Sequence, residues 1–343
     1  MQDHNFTDDV FDENHGASPL RYILVTVFYI PCMIITFIGN IFVLMAYGRD
    51  RRIRESITHA YILNLAFADL LVGIVLLINA EIFYTRTWSL GGWMCILAWV
   101  LDYSATTVSM LTIIAISVDR CLMVQNPLRH RSRQTFKKVA IICSILWIIC
   151  IASHATLALT FSSGTGFLHD EERIASCDLG YGNNVAIISV MFVIGYLLPG
   201  LSVFCLNLKV YSKLKRRSST FQTTLTLDPL GSRELPIGGR QHRRTSSVRY
   251  NDMRIHRSST TSQAQHQKFA RFLTLLLIVF VLCWSPFYIY HCYIFVTSAG
   301  NYSAVVDNVA ALILWSNSAI NPFLYAFTNV LFKENFMNFL RCK

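Results

Sequence analysis

Charge is what this chain has little of. Only 15% of its 343 residues are Asp, Glu, Lys or Arg, against about 25% in a soluble domain. That deficit excludes a water-solvated surface wrapped around a core. Acids are scarcer than bases, 20 against 30, giving a net charge of +10. In a soluble protein such an excess would point to nucleic acid; beside long apolar runs it is read by side of the membrane, and no nucleic-acid partner is expected. The ten cysteines contain no C-x-x-C pair, which argues against a thiolate metal site; most sit in apolar runs as small buried hydrophobes. H-E-x-x-H, G-x-S-x-G and paired intramembrane acids at catalytic spacing are missing, so no enzyme is expected. The halves of the chain share no internal similarity, which speaks against a repeat-built transporter.

What is present is apolar length. With 53% hydrophobic residues, seven runs reach the ~20 residues that a bilayer crossing needs: 22–47, 58–84, 92–124, 136–161, 184–212, 268–297 and 303–327. Lipid offers no partner to backbone groups, and the runs do not alternate, so all seven are expected to be helices. The fold class is therefore an all-α, seven-helix membrane bundle. Residues 1–21 form a polar, acidic tail without an apolar core, so the first span is expected to serve as insertion signal. Arg49, Arg51, Arg52 and Arg54 follow span one, Arg129 to Lys138 follow span three, and Lys213 to Arg217 follow span five. The positive-inside rule puts these in the cytoplasm, with the N-terminus outside and the C-terminus inside a plasma membrane. Two sequons, at Asn5 and Asn301, fall on the outer side as glycosylation candidates. Residues 213–265 are rich in Ser, Thr and Arg and are expected to be disordered, with a basophilic phosphorylation signal at Arg243-Arg244-Thr245-Ser246. In 328–343, Leu331, Phe332, Phe336, Phe339 and Leu340 recur at helical spacing, which predicts a short amphipathic helix on the inner leaflet; Cys342 after it is a palmitoylation candidate.

Charges inside the spans are costly and mark function. The stretch Cys95–Arg120 carries Asp102 near one end and Asp119-Arg120 at the other, ~26 Å apart at ~1.5 Å per residue. Asp102, Thr106 and Ser109 share one face of that helix. Span two adds Asp69. Pro199, Pro286 and Pro322 interrupt spans five, six and seven, and each removes a helical hydrogen bond.

One set of marks runs through the spans in order: Gly39-Asn40, Leu65-Ala-x-Ala68-Asp69, Trp88-x-x-Gly91, Cys95 with Cys177, Asp119-Arg120, Trp147, Cys283-Trp284-x-Pro286, and Asn321-Pro322-x-x-Tyr325. The chain thereby resembles the class A, rhodopsin-like G-protein-coupled receptors over nearly its whole length. In that family an acid at the position of Asp102 marks receptors for biogenic amines, and aromatic walls would add cation–π attraction. The resemblance implies a ligand pocket of Asp102, Tyr103, Thr106, Trp284, Phe287, Tyr288 and Trp315. It implies an allosteric sodium pocket of Asp69, Ser109, Asn317 and Ser318, with no other cofactor or metal. Asp119, Arg120, Asn321, Pro322 and Tyr325 would serve activation, with a heterotrimeric G protein, receptor kinases, arrestin and membrane lipids as partners. It also implies a Cys95–Cys177 disulfide.

Asp102-Tyr103, Thr107 and Trp315 resemble the histamine receptor branch. One departure stands out: where those receptors carry a carboxylate four residues before the span-five proline, this chain has Gly195, with Met191 and Phe192 one turn earlier. The amine anchor is present and the second anchor is not, which opens the site to a less polar or quaternary amine. The alternative is a receptor of the same fold for a peptide or lipid. A light receptor is set aside because 303–327 holds no Lys for a retinal Schiff base. His266 stands where many relatives carry an acid that holds Arg120, so the cytoplasmic latch is expected to be weak and basal signalling raised.

Overall fold

The computed structural model describes residues 23–85, 87–179, 185–227, 271–294 and 304–341. The tail 1–21, both sequons, His266, Cys342 and most of the 213–265 loop lie outside the described residues. Among the described residues, seven helices are long and apolar enough to cross a membrane: Leu24–Arg49, Ile57–Thr85, Gly92–Gln125, Phe136–Thr165, Met191–Arg216, Arg271–Ile294 and Val305–Thr328. They match the seven spans read from the sequence and keep those numbers below. An eighth helix, Val330–Leu340, follows span seven directly.

Span three is the axis of the bundle, packing against spans two, four and five. Its buried side chains run from Cys95 to Val124. Outward faces of the other spans carry Ile34, Ile38, Ile148, Ile149, Ile194 and Leu201, all exposed, as a lipid-facing surface requires. Polar ties fix the register within. Asn64 donates to Thr112 Oγ1 at 2.8 Å, and Trp147 Nε1 donates to Asn64 Oδ1 at 3.0 Å, joining spans two, three and four. Gly39 faces Pro322 so closely that a Cβ would sit 2.9 Å from its ring; glycine there lets spans one and seven touch, and Asn40 beside it donates to the Ser318 carbonyl at 3.2 Å.

Local chemistry sets the helix ends. Gly91, at φ 79°, precedes span three, a backbone region that favours glycine, and its carbonyl accepts from Trp88 Nε1 at 2.9 Å. Thr135 caps span four by accepting from the Lys138 amide, and Gly166, at φ 66°, ends it. Cys95 and Cys177 are disulfide-bonded, with Cα atoms 5.7 Å apart. The bridge holds the loop after span four against the end of span three, where Phe167 and Leu179 are fully buried beside Cys95.

Two features differ from the sequence expectation. Span five continues as one helix to Leu227, past the expected start of the disordered loop at 213. Span five also contains a π-helical stretch, Met191–Leu197, immediately before Pro199. Proline lacks the amide that would bond the Gly195 carbonyl and its ring crowds that carbonyl; a wider turn is a recognised way to absorb the conflict.

Candidate functional site

Asp102 lies on span three, one turn from Thr106, and is partly buried. Trp315 Nε1 of span seven donates to Asp102 Oδ1 at 3.3 Å. Behind Trp315 the ring of Phe83 packs edge-on at 5.6 Å, and Tyr29 stacks on Phe83 at 4.4 Å. The Tyr29 hydroxyl donates to the Leu76 carbonyl, so this wall is anchored to span two. Tyr103 turns the other way, stacking on Trp99 at 4.3 Å and facing His154 at 6.0 Å.

Trp284 and Tyr288 of span six form a second aromatic group with span five. Tyr288 lies 5.1 Å from Tyr196 and 5.7 Å from Phe192, and Trp284 is 5.0 Å from Phe280. The Tyr196 and Ser285 hydroxyls are bonded at 2.6 Å. Gly195 faces this group: a Cβ there would meet the Tyr288 hydroxyl at 2.9 Å. The space that an acid at 195 would occupy is filled by Tyr288. Phe287 meets Tyr288 edge-on at 5.6 Å and His291 at 4.2 Å.

Deeper in the bundle, Asp69 is fully buried. Its Oδ1 accepts from Ser109 at 3.0 Å and Ser318 at 2.8 Å, and its Oδ2 accepts from Asn321 Nδ2 at 2.7 Å. A buried carboxylate needs such donors or a cation. The structure thus brings Asp69, Ser109 and Ser318 together. Asn317 is buried nearby on the chain, and the third hydrogen bond to Asp69 comes from Asn321, which the sequence reading had placed with the activation residues.

At the far end of span three, Asp119 is the hub. Its Oδ1 accepts from His130 Nε2 at 2.7 Å and from Gln134 Nε2 at 3.1 Å. Arg120 Nε stands 3.8 Å from Asp119 Oδ2, and its Nη2 donates to Thr58 Oγ1 of span two. His130, Gln134 and Thr58 were missed in the sequence because nothing local marks them; the turn at Asn126-Pro127 folds the following helix, Pro127–Arg133, back and brings His130 and Gln134 to Asp119, while Thr58 arrives from span two. Span six is closed over this end: Phe272, Leu273 and Leu276 are buried in one cluster with Ile113 and Ile116. Tyr325 is buried there too, its ring 5.9 Å from Phe272 and 5.8 Å from Phe332 of the eighth helix.

Residues 39–325 match, by sequence, the family described as "7 transmembrane receptor (rhodopsin family)". The chain belongs to the rhodopsin family of seven-transmembrane receptors. It is a multi-pass membrane receptor, and the family is not one of enzymes. Its relatives are biogenic amine receptors. The chain is 26% identical over 341 residues to the octopamine receptor beta-2R of Chilo suppressalis, covering 96% of this chain and 83% of that one. It is 25% identical over 353 residues to the histamine H4 receptor of Rattus norvegicus, covering 88% of each. Against the human histamine H2 receptor it is 26% identical over 326 residues, covering 94% and 80%.

Proposed function

We propose that this receptor binds a cationic biogenic amine through Asp102 at the cell surface and activates a heterotrimeric G protein through the Arg120 end. The observation that carries the reading is the Asp102 carboxylate, partly buried and held by Trp315. The aromatic wall of Trp315, Phe83 and Tyr29 stands behind it. An ammonium would satisfy that carboxylate, and the ring faces would add cation–π attraction of roughly 0.5–2 kcal/mol. The relatives' ligands, octopamine and histamine, are amines of this class. Tyr103, Thr106, Trp284, Phe287 and Tyr288 complete the proposed pocket.

The topology proposed with it puts the Cys95 end outside and the Arg120 end inside, because Arg49 to Arg54, Arg129 to Lys138 and Lys209 to Arg216 gather at the latter. Receptor kinases and arrestin would act on that same side. A sodium ion fits the Asp69 pocket by donor chemistry: one carboxylate with the Ser109 and Ser318 hydroxyls supplies hard oxygen ligands, once the hydroxyl hydrogens rotate away. Bound there, the ion would supply the positive charge that the buried carboxylate otherwise takes from hydrogen bonds.

Asp102→Asn tests the central claim, since it keeps the shape and removes the charge. The variant should reach the surface and lose amine activation in a cell-based G-protein assay. Equal amine potency in Asp102→Asn and the parent would overturn the amine reading and favour a peptide or lipid ligand.

A further inference from the structure

At the Arg120 end of the bundle, the last turn of span three and span five enclose an open cleft of about 530 Å³, within the ~300–1,000 Å³ of small-molecule sites. Gln125 and Asn126 line one wall, and the stretch from Leu208 to Arg216 lines the other. The floor is fixed, because Val210 and Leu214 of span five pack with Cys121 and Val124 of span three. Lys209, Lys213 and Arg216 bring three positive charges into the cleft. Among the described residues no acid lines it, and neither lysine is paired with one. Like charges in one cleft repel until an anion joins them. Ser212, Gln125 and Asn126 add a hydroxyl and two amides that can bond the rest of such a ligand.

The cleft is one end of a two-part surface. Leu201, Phe204 and Leu208 recur at i, i+3 and i+7 and share a face with Ser212; all three apolar side chains are exposed. On span three the exposed Leu122 stands one turn before Gln125 and Asn126. Both walls therefore pass from exposed apolar to polar and basic in the same direction. A soluble anion or an acidic peptide would leave the apolar part uncovered. An amphiphile covers both parts, with its chains along the apolar faces and its head in the cleft. Three cations call for more than the single phosphate of an ordinary phospholipid.

We infer that this cleft is a site for an anionic phospholipid whose headgroup carries phosphates beyond the one esterified to the glycerol. The added phosphates lie among Lys209, Lys213 and Arg216, and the chains run along Leu201, Phe204 and Leu208. Such a lipid ties the end of span three to span five from the membrane side. Its binding is independent of what occupies Asp102. In the orientation proposed above, this end faces the leaflet where anionic lipids reside.

The test titrates the full receptor in neutral detergent and counts bound copies by native mass spectrometry. The probes are phosphatidylinositol bisphosphate, phosphatidylserine and the bisphosphate headgroup without its chains. The bisphosphate lipid should bind about tenfold more tightly than phosphatidylserine, and more tightly than its free headgroup. A lysine near a membrane surface contributes about fivefold, so Lys209→Gln combined with Lys213→Gln should weaken that lipid about 25-fold. Ser212→Glu, which brings an acid into the cleft, should weaken it as well. Lys137→Gln removes an exposed cation outside the cleft and should change nothing. Leu208→Asn should weaken the lipid and leave the free headgroup unchanged. Cleft variants that bind like the parent, or an equal loss in Lys137→Gln, would overturn the site in favour of diffuse surface charge. Phosphatidylserine binding as tightly as the bisphosphate overturns the choice of headgroup. A free headgroup binding as tightly as the whole lipid makes the cleft a soluble-phosphate site and overturns the lipid.

Discussion

Thr58→Val should raise the ligand-free activity of this receptor about tenfold. The variant keeps the branched shape and loses the hydroxyl. In the structure that hydroxyl accepts from Arg120 Nη2 and lies 3.5 Å from Asp119 Oδ2. The Arg120 side chain is only 12% exposed, so water replaces the lost partner poorly. A hydrogen bond to a charged group contributes about 1.5–3 kcal/mol. It counts against activation to the extent that it exists only while span six is packed over Ile113 and Ile116, as it is here. Taking ~1.5 kcal/mol, the ratio of active to inactive receptor rises about tenfold, and an active fraction of about 1% becomes about 10%. The assay is nucleotide exchange on the coupled G protein without ligand, at matched surface expression. Thr58→Ser, which keeps the acceptor, should stay near the parent. If Thr58→Val does not exceed the parent, or Thr58→Ser matches Thr58→Val, then Thr58 does not hold Arg120 in the inactive state. The expectation of a weak latch at His266 and this hold on span two are separable, because His266→Glu should lower basal activity and Thr58→Val should raise it.

Sodium should lower agonist affinity relative to an equal concentration of a large organic cation, and Asp69→Asn should erase the difference; by linkage, agonist must weaken sodium equally. Equal agonist affinity in the two salts would count against the Asp69 pocket. Non-reducing peptide mapping should recover Cys95 joined to Cys177; with a separation of 82 positions in sequence, the bridge constrains the unfolded chain by about 4.5 kcal/mol, so Cys177→Ser should lower the thermal midpoint. Asp50, between span one and the next turn, accepts from the Arg52 side chain and from Asn335 of the eighth helix at 3.0 Å, and hydrogen bonding to Arg52, first of all, holds its carboxyl well below the usual carboxylate range. Its contribution is therefore present above the unfolded value near pH 4 and lost only as pH falls through the much lower folded one. Amide exchange of 330–340 should reveal the same Asp50-dependent protection at about pH 5 and pH 7, and Asp50→Asn should speed that exchange at both.

The spans were legible because lipid leaves a chain few options. Apolar length fixes them, and Pro199, Pro286 and Pro322 fell inside helices as expected. Asp102 and Asp69 stood out in the sequence because acids inside apolar runs are costly. What the sequence did not reveal were groups whose meaning comes from across the bundle. Gly195 read as a missing anchor; only the neighbouring helix shows that the Tyr288 hydroxyl fills its space. Asn321 read as part of the proline motif, yet its amide bonds Asp69, 252 residues away in sequence. His130 lay in a basic loop and carried no local mark, since its role depends on a fold-back toward Asp119. The helical continuation to Leu227 was hidden because Ser- and Thr-rich composition has weak intrinsic preference, while a preceding helix removes the cost of nucleating another turn.

The wide turn at Met191–Leu197 also sets how span five tolerates changes of length. An i→i+5 turn holds one residue more than the α-turn it replaces. A single-residue deletion inside 191–197 can therefore be absorbed by reverting to α-geometry, leaving Val203 and Val210 in their buried places. The same deletion a few turns later, beyond Pro199, finds no such slack; it would rotate everything downstream by roughly 100° and swing Asn207 off the Leu273 carbonyl that it now reaches at 3.2 Å. Span five thus carries its own take-up for one residue at its Cys95 end and a fixed register at the Arg120 end.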